Sequence, residues 1–332
     1  MDTVRIGFIG VGGFARHHLN CLKDVPEACV TAMADPSADQ LTRSKAVDAR
    51  YADAATTADW REILTRDDVD AVLISSPHTA HKEQVLAAFD AGKHVLVDKP
   101  MVTTVPDAIE VIAKRDATKL VGAISYQRHT QGEFRYMRTR IASGEYGQVQ
   151  QVQALLAQGW KEGTKGTWRQ DPALSGGGQL NDSGSHMLDI LLWATGLQAQ
   201  RVSAICDFRG TAVDINSSLT IGFTNGANGS ICIAGDAPAW HEEITVYCDT
   251  AAFYYRHGKL TIQEDNGNRF TCDNLAGFGT PDRNFVRAVL GQEEVQAPFE
   301  CGLRVIELTE AAWVSAERNG APVDVSELAQ RR

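Results

Sequence analysis

The sequence predicts an α/β protein in which an N-terminal doubly wound parallel sheet precedes a second domain built mainly on an antiparallel sheet. The 332 residues exceed the usual size of a single hydrophobic core. Up to about residue 125, short apolar runs alternate with segments of helical spacing, which is typical of a parallel sheet. Beyond about residue 145, runs with a period of two are broken by turn signals, which is typical of antiparallel strands. We therefore place the domains at residues 1–125 and 126–332.

The spacing of apolar residues predicts each element in turn. In the first domain, strands are expected at residues 4–9, 29–34, 70–75, 94–97 and 120–125, with helices at 14–23, 37–47, 81–91 and 106–117. In the second domain, one helix is expected at 178–194, and two more, near 283–290 and 303–318, close the chain. Strand turns are expected at Thr224-Asn225-Gly226, His257-Gly258 and Asn266-Gly267.

Composition excludes several classes of protein. The formal net charge is −10 and Lys and Arg form no cluster, which argues against a nucleic-acid or anionic-membrane partner. The first residues lack the pattern of a secretory signal, and no apolar run is long enough to span a bilayer, so we expect a cytoplasmic protein. The seven cysteines include no C-x-x-C pair, which favours reduced core thiols over a zinc knuckle or a disulfide framework.

A glycine-rich turn follows the first strand and fits the pattern G-x-G-x-x-A at Gly10, Gly12 and Ala15. In a dinucleotide site the first glycine allows the tight turn, the second admits a pyrophosphate, and the small third residue lets the helix pack on the strand. We expect the backbone of Gly13 and the neighbouring Phe14 to join that contact. The alternative is an ordinary strand-to-helix turn, but its place in the first βαβ unit favours the dinucleotide.

Asp35 ends the second strand, at about the spacing from the glycine turn that a ribose-binding carboxylate has. Such a carboxylate accepts hydrogen bonds from the ribose hydroxyls and repels a 2′-phosphate, so NAD is expected in preference to NADP. The alternative is a helix cap, because Asp35-Pro36 also suits the start of a helix.

The two following strands deliver polar residues to the same edge of the sheet, where ligands of open parallel sheets lie. Ser76 and His81 follow one strand, and Asp98 and Lys99 follow the other. We expect all four to contribute to cofactor binding. A lysine there can also polarise a carbonyl oxygen or orient a hydroxyl. The alternatives are that His81 is only a residue at a helix start and that Lys99 is a solvated surface group.

In the second domain, Asp182, His186 and Asp189 stand at positions i, i+4 and i+7 of the predicted helix and can share one face. A histidine has an ordinary pKa of about 6.5 and can take a proton from a hydroxyl, while a nearby carboxylate orients the ring or binds substrate. Metal binding is a rival interpretation, but no second His or Cys partner is evident nearby. An interior structural histidine is the remaining alternative.

Three motifs together resemble the glucose-fructose oxidoreductase / inositol dehydrogenase family over essentially the whole chain. They are Gly10-x-Gly12-x-x-Ala15, Asp98-Lys99-Pro100 and Gly176-Gly177-Gly178-x-x-x-Asp182-x-Gly184-x-His186-x-x-Asp189. The resemblance implies a Rossmann domain and an α+β domain with a large open sheet that supports subunit contacts, with the nicotinamide lying between the domains. The family often has Glu at the position of Asp98, which puts that residue's cofactor contact in doubt but leaves the lysine in place.

The resemblance also implies roles for single residues. Lys99 binds and polarises the reacting oxygen, the residue at His186 is the acid/base, and the residue at Asp182 contacts the substrate and steadies the histidine. The segment with Trp168 and Arg169 is similar to one that reaches toward the cofactor and active site. Their alternative is a hydrophobic anchor with a surface arginine.

Tyr126 lies where the chain leaves the first domain and is expected to border the substrate pocket. The whole pattern predicts a homodimer or homotetramer that reversibly oxidises a secondary hydroxyl of a sugar, cyclitol, polyol or glycoside, without a metal. Two alternatives stay open: an enzyme that retains NAD and cleaves a glycosidic bond without net redox change, and an NAD-binding sensor without turnover.

Overall fold

The computed structural model describes residues 2–330. The strands are β1 (Val4–Ile9), β2 (Ala28–Ala34), β3 (Ala55–Thr57), β4 (Ala71–Ile74), β5 (His94–Val97), β6 (Gly122–Ile124), β7 (Val149–Ala157), β8 (Ala199–Asp207), β9 (Asn216–Phe223), β10 (Asn228–Ala234), β11 (His241–Cys248), β12 (Ala251–Arg256), β13 (Lys259–Glu264), β14 (Arg269–Cys272) and β15 (Val323–Asp324). The α-helices are α1 (Gly13–Leu22), α2 (Ala38–Lys45), α3 (Trp60–Leu64), α4 (His81–Asp90), α5 (Val105–Thr118), α6 (Gly132–Ala142), α7 (Trp160–Gly163), α8 (Pro172–Ser175), α9 (Ser183–Thr195), α10 (Pro281–Val289) and α11 (Phe299–Glu317).

The first six strands form a parallel sheet in the order β3-β2-β1-β4-β5-β6. The order reverses between β1 and β4, because the chain first builds outward from β1 and then returns to its other side. At such a switch point the connections leave in opposite directions, and a crevice opens at the carboxyl ends of the strands. The predicted parallel sheet is confirmed, and the glycine turn lies at the reversal.

The chain forms two compact units. The first runs to Val102 and also contains Asp107–Gln127 and Gly279–Glu300, and the remaining segments form the second. The switch at residues 127 and 128 lies close to the boundary predicted at 125. The return of 279–300 to the first unit was not predicted, and its physical cause is hydrophobic, because Phe285 and Val286 of α10 are buried in the core that covers β1.

The second unit contains a nine-stranded sheet in the order β14-β13-β12-β11-β7-β10-β9-β8-β15. Its pairs are antiparallel except for β7 with β10. The predicted turns are found, with Gly226, Gly258 and Gly267 in the left-handed region that favours glycine. Along β9 and β10 buried and exposed residues alternate, and the exposed ones are small and mostly polar, namely Ser218, Thr220, Asn228, Ser230 and Cys232.

Helix α9 begins at Ser183, so the prediction that it starts at residue 178 was wrong. The backbone of Gly178 and Leu180 instead donates hydrogen bonds to the carboxylate of Asp214, which holds this stretch as an irregular loop. Asp182 therefore occupies the N-cap position, outside the helix that carries His186. Across residues 2–330, no helix combines the length and the apolar character that crossing a membrane requires.

Candidate functional site

The glycine turn after β1 has the geometry that a dinucleotide needs. Gly10 has a φ of 81°, and a Cβ there would lie 2.8 Å from the backbone nitrogen of Ser76, so only glycine fits. Gly12 is the N-cap of α1 and carries no side-chain cap, and a Cβ on it would meet nothing within 4 Å. Ala15 is buried, whereas Phe14 is 40% exposed. The open backbone and the N-terminus of α1 therefore fit an incoming pyrophosphate.

Asp35 lies directly beside this turn. One carboxylate oxygen accepts a hydrogen bond from the backbone of Val11 at 3.0 Å, and the other accepts one from Ser37 at 2.9 Å. Helix α2 is capped by the side chain of Ser37, which accepts from the backbone of Gln40, so the interpretation of Asp35 as the helix cap was wrong. The carboxylate is half-buried next to the turn, where a bound adenosine ribose is expected.

Ser76 and His81 connect the ends of β4 and β5. Ser76 donates a 2.5 Å hydrogen bond to Oε1 of Gln84. The buried ring of His81 lies between two backbone carbonyl oxygens, 2.9 Å from that of Pro100 and 3.0 Å from that of Ser76. Burial lowers the pKa of His81, which favours the neutral ring. A neutral ring donates to only one of these two carbonyl oxygens, so His81 packs between the Ser76 loop and the chain after Lys99 with one hydrogen bond, and its direct contact with a cofactor stays a prediction.

A buried charge cluster precedes Lys99. The ring of His18 lies 2.9 Å from Oδ1 of Asp98 through Nε2 and 2.7 Å from Oδ1 of Asp282 through Nδ1. Burial acts to lower the pKa of His18, but the two carboxylates outweigh it and raise the pKa to about 10. The other oxygen of Asp98 accepts a 2.5 Å hydrogen bond from Ser75. Both oxygens of Asp98 are thus engaged within the protein, and its predicted cofactor contact stays untested.

This cluster could not be found from the sequence, since His18, Asp98 and Asp282 come from three separate stretches of chain and belong to no common motif. Its consequence is local to the site. The carboxylate next to Lys99 is fixed by α1, which starts at the glycine turn, and by α10. Lys99 itself is half-buried at the end of β5.

The second group of site residues surrounds the start of α9. Oδ2 of Asp182 accepts a 2.8 Å hydrogen bond from the indole of Trp160 and a 3.1 Å hydrogen bond from Nε of Arg169. Asp182 is buried and Arg169 is partly exposed, so the ion pair lies at the border of solvent. His186 follows in the first turns of α9 and is half-buried. Trp160 was not singled out by the sequence, which carries no motif around it.

Two further predicted residues take different positions. The guanidinium of Arg169 lies 4.5 Å from the ring centroid of Trp168, so these two side chains pack on each other while Arg169 reaches Asp182. Tyr126 is 1% exposed in the first unit. The contacts of Trp168 and Tyr126 with substrate, and of Arg169 with a cofactor, stay predictions.

Asp189 faces a different set of residues. Its Oδ2 lies 2.8 Å from Nε2 of His129, and both groups and Sγ of Cys301 lie within 4.8 Å of one another. His129 and Cys301 come from distant parts of the sequence, so a search for metal ligands near the helix in the sequence could not reveal them. Nη2 of Arg304 lies 3.7 Å from Sγ of Cys301, and Trp193 stacks on the ring of His129 at 4.3 Å between centroids. The nearby guanidinium disfavours a bound cation, and the contacts are those of a hydrogen-bonded core cluster.

Comparison with known proteins finds relatives that match most of the chain. Residues 4–126 match the family model described as "Oxidoreductase family, NAD-binding Rossmann fold", and residues 134–254 match "GFO/IDH/MocA C-terminal domain". A 4-carboxy-2-hydroxymuconate-6-semialdehyde dehydrogenase from a Sphingobium species is 28% identical over 297 residues, covering 86% of this chain and 90% of the relative. The levoglucosan dehydrogenase of Pseudarthrobacter phenanthrenivorans is 25% identical over 279 residues, covering 74% and 71%.

The fold has close counterparts among solved structures. A levoglucosan dehydrogenase in complex with NADH and levoglucosan superimposes with a TM-score of 0.85 over 97% of this chain and 99% of its own, at 20% identity. The predicted NAD-binding domain and the predicted class of dehydrogenase or reductase are thereby confirmed. The two family models describe successive domains and together span most of the sequence, and the chain therefore belongs to the GFO/IDH/MocA family of oxidoreductases.

Proposed function

We propose that the protein is an NAD-dependent dehydrogenase that reversibly oxidises a secondary hydroxyl of a sugar, cyclitol, polyol or glycoside to a ketone. The observation that carries this proposal is the environment of Asp182. Its buried carboxylate is held by Trp160 and Arg169 directly before the helix that carries His186. A fixed anion directly before a helix that carries a histidine suits the binding of a neutral hydroxylated substrate and the removal of a hydroxyl proton.

The cofactor is held by residues of the first unit. The open turn at Gly12 and the N-terminus of α1 receive the pyrophosphate, and Asp35 receives the adenosine ribose, which favours NAD over NADP. A nicotinamide cofactor held there would supply the acceptor for the hydride that leaves the carbon bearing the hydroxyl. The rigid connections of Asp98 and His81 keep the backbone around Lys99 in place for this reaction.

The protein's own side chains carry out the proton and charge steps. His186 takes the hydroxyl proton, and the ammonium group of Lys99 stabilises the charge that develops on the oxygen. Asp182 already accepts hydrogen bonds from Trp160 and Arg169, so we assign it to orienting the substrate and His186. In the reverse direction, His186 returns the proton and the ketone is reduced.

We infer the carbohydrate class of substrate from the relative that is named a levoglucosan dehydrogenase. The semialdehyde dehydrogenase relative is named for an open-chain acid, so such compounds form the main competing class of substrate.

We further propose that the protein is a homodimer or homotetramer in which the exposed faces of the nine-stranded sheets of two copies contact each other. The small side chains on β9 and β10 leave a flat surface there. Light scattering on the purified protein tests this assembly.

The proposal is tested by NADH formation with purified protein across inositols, aldoses, anhydrosugars, sugar acids, glycosides and a hydroxymuconate semialdehyde, each with NAD and with NADP. We expect turnover with a carbohydrate or cyclitol and NAD. Turnover with the semialdehyde alone would replace the substrate class. Glycoside cleavage without net NADH formation would indicate the retained-NAD mechanism, and tight NAD binding without any turnover would indicate a sensor.

A further inference from the structure

Three consecutive backbone N–H groups of the glycine-rich loop before α9 hydrogen bond to one residue. Gly178 donates to Oδ1 of Asp214 at 2.9 Å, and Leu180 donates to Oδ2 at 2.9 Å. Between them, Gln179 donates to the backbone carbonyl of Asp214 at 2.8 Å. Asp214 lies in the connection between β8 and β9, far along the chain from this loop. A single residue thus fixes the path of the backbone through residues 178–180.

The glycines of this loop are required by the closeness of that contact. A Cβ on Gly178 would lie 1.9 Å from the backbone oxygen of Asp214, and a Cβ on Gly177 would lie 2.3 Å from the ring of Trp313. The indole of Trp313 also donates a 3.0 Å hydrogen bond to Oδ1 of Asp214. The loop, the carboxylate of Asp214 and the indole of Trp313 are therefore in mutual contact, so a shift of one displaces the others.

The same loop holds the beginning of the helix that carries His186. The carbonyl of Gly178 accepts a 3.0 Å hydrogen bond from the backbone of Asp182, and the carbonyl of Gln179 accepts a 2.8 Å hydrogen bond from Gly184. The N–H groups of residues 178 and 179 bind Asp214, while their carbonyls bind the first turn of α9. A displacement of Asp214 would therefore move residues 178 and 179, and with them Asp182 and the start of the helix.

We propose that Asp214 is a positioning residue that sets the location of Asp182 and His186 through the loop 176–180, a role that rests on the proposed function of those two residues. Asp214 is 3% exposed and does not belong to the family motifs noted in the sequence. Burial raises its pKa, and the hydrogen bonds from Leu180, Gly178 and Trp313 oppose that rise. Both side-chain oxygens of Asp214 accept hydrogen bonds, so the site requires a carboxylate. An amide would turn its own N–H group toward one of these N–H donors.

The test is a double-mutant cycle. It compares the wild-type protein, Asp214→Asn, His186→Ala and the variant that carries both substitutions. Misplacement of a catalytic group by about 1 Å can cost 100-fold, so we expect Asp214→Asn alone to lower kcat about 10- to 100-fold while the Kd for NADH is unchanged. In the His186→Ala background we expect less than about a threefold further loss, because residues that act as a unit are not additive.

A matched control is Glu242→Gln, which changes an equally buried carboxylate of the second unit that pairs with Arg128 rather than with the loop. It is expected to alter the free energy of unfolding without lowering kcat. Amide hydrogen exchange provides a readout that needs no substrate. Asp214→Asn should speed exchange at residues 178–184 and leave the strands β10 and β11 unchanged.

The outcomes separate this proposal from the proposed function. Full turnover by His186→Ala would contradict the proposed function. Loss of turnover in His186→Ala, together with an equal fold loss from Asp214→Asn in both backgrounds, would overturn the positioning role alone, as would unchanged exchange in the loop. If Asp214→Asn does not fold, Trp313→Phe removes one hydrogen bond to the carboxylate but keeps a ring near Gly177. It should then lower kcat in the same non-additive way, and an additive loss would overturn the proposal.

Discussion

The indole Nε1 of Trp160 lies 2.8 Å from Oδ2 of Asp182, so a residue of one short helix fixes the carboxylate at the start of another. The hydrogen bond is buried and its acceptor is charged, which is the case in which losing a donor is most costly. The contact also excludes solvent from one side of the carboxylate, because Trp160 is itself buried. The orientation of the Asp182 carboxylate is therefore set by two donors, Trp160 and Arg169.

Trp160→Phe removes the indole donor and keeps an aromatic ring. Hydrogen bonds to charged groups contribute about 1.5–3 kcal/mol, so we expect kcat/KM for the alcohol substrate to fall about 10- to 100-fold. The Kd for NADH should change much less than kcat/KM, because Gly12 and Asp35, to which we assign the pyrophosphate and the adenosine ribose, lie in the first unit. Trp60→Phe, on α3, makes the same chemical change away from this site and should leave kcat/KM unaltered. Equal losses in the two variants would argue against the role of Trp160.

Asp35→Ala removes the carboxylate beside the glycine turn. We expect weaker NAD binding and a smaller preference for NAD over NADP, since the charge that repels a 2′-phosphate is gone. Asp35→Asn keeps oxygen and shape but not charge, and should relax the preference with less damage to the turn. Kd values for both cofactors in all three proteins provide the measurement. A wild-type protein that already prefers NADP would contradict this interpretation of the strand end.

Stability should depend on pH through His18. Its pKa is raised to about 10 from 6.5, so its contribution is fully present below about pH 6.5 and is lost as pH rises through 10. The free energy of unfolding of the wild-type protein should therefore fall between about pH 7 and pH 10, with a slope of up to about 1.4 kcal/mol per pH unit from this group. Urea unfolding of His18→Asn over the same range should show a flatter profile. Parallel profiles would mean that His18 is not charged between its two carboxylates.

The cluster of His129, Asp189 and Cys301 is expected to hold no metal, because Arg304 stands beside the thiol. Extended treatment with EDTA should change neither the melting temperature nor the NADH-forming activity, and elemental analysis of the untreated protein should find no stoichiometric zinc. Stoichiometric metal that is lost together with Asp189→Asn would show that the cluster is a metal site.

Local patterns predicted much of this fold. Periodicity placed five of the six strands of the first sheet within two residues, since a buried parallel strand is a short apolar run, but it missed the three-residue edge strand β3. The helix start at residue 183 was missed because the stretch 178–182 has helical spacing but is held in a loop by Asp214. The glycines suggested a site, whereas the groups that require them, the ring of Trp313 for Gly177 and the backbone of Asp214 for Gly178, lie far away in the sequence.

The site shows the same division. Gly10, Lys99 and His186 belong to local motifs and could be named from the sequence. The carboxylates beside Lys99 and before the helix of His186 are held by long-range partners, namely His18 for Asp98 and Trp160 for Asp182. No spacing rule connects such pairs, because the contact exists only after the chain has folded.

The claim that His186 is the acid/base of an NAD-dependent alcohol dehydrogenase is best tested by His186→Ala on the best substrate of the panel. Removing a general base costs about two to four orders of magnitude, so we expect kcat to fall by that amount while the Kd for NADH and the melting temperature stay close to wild-type values. Turnover equal to that of the wild-type protein would contradict the claim.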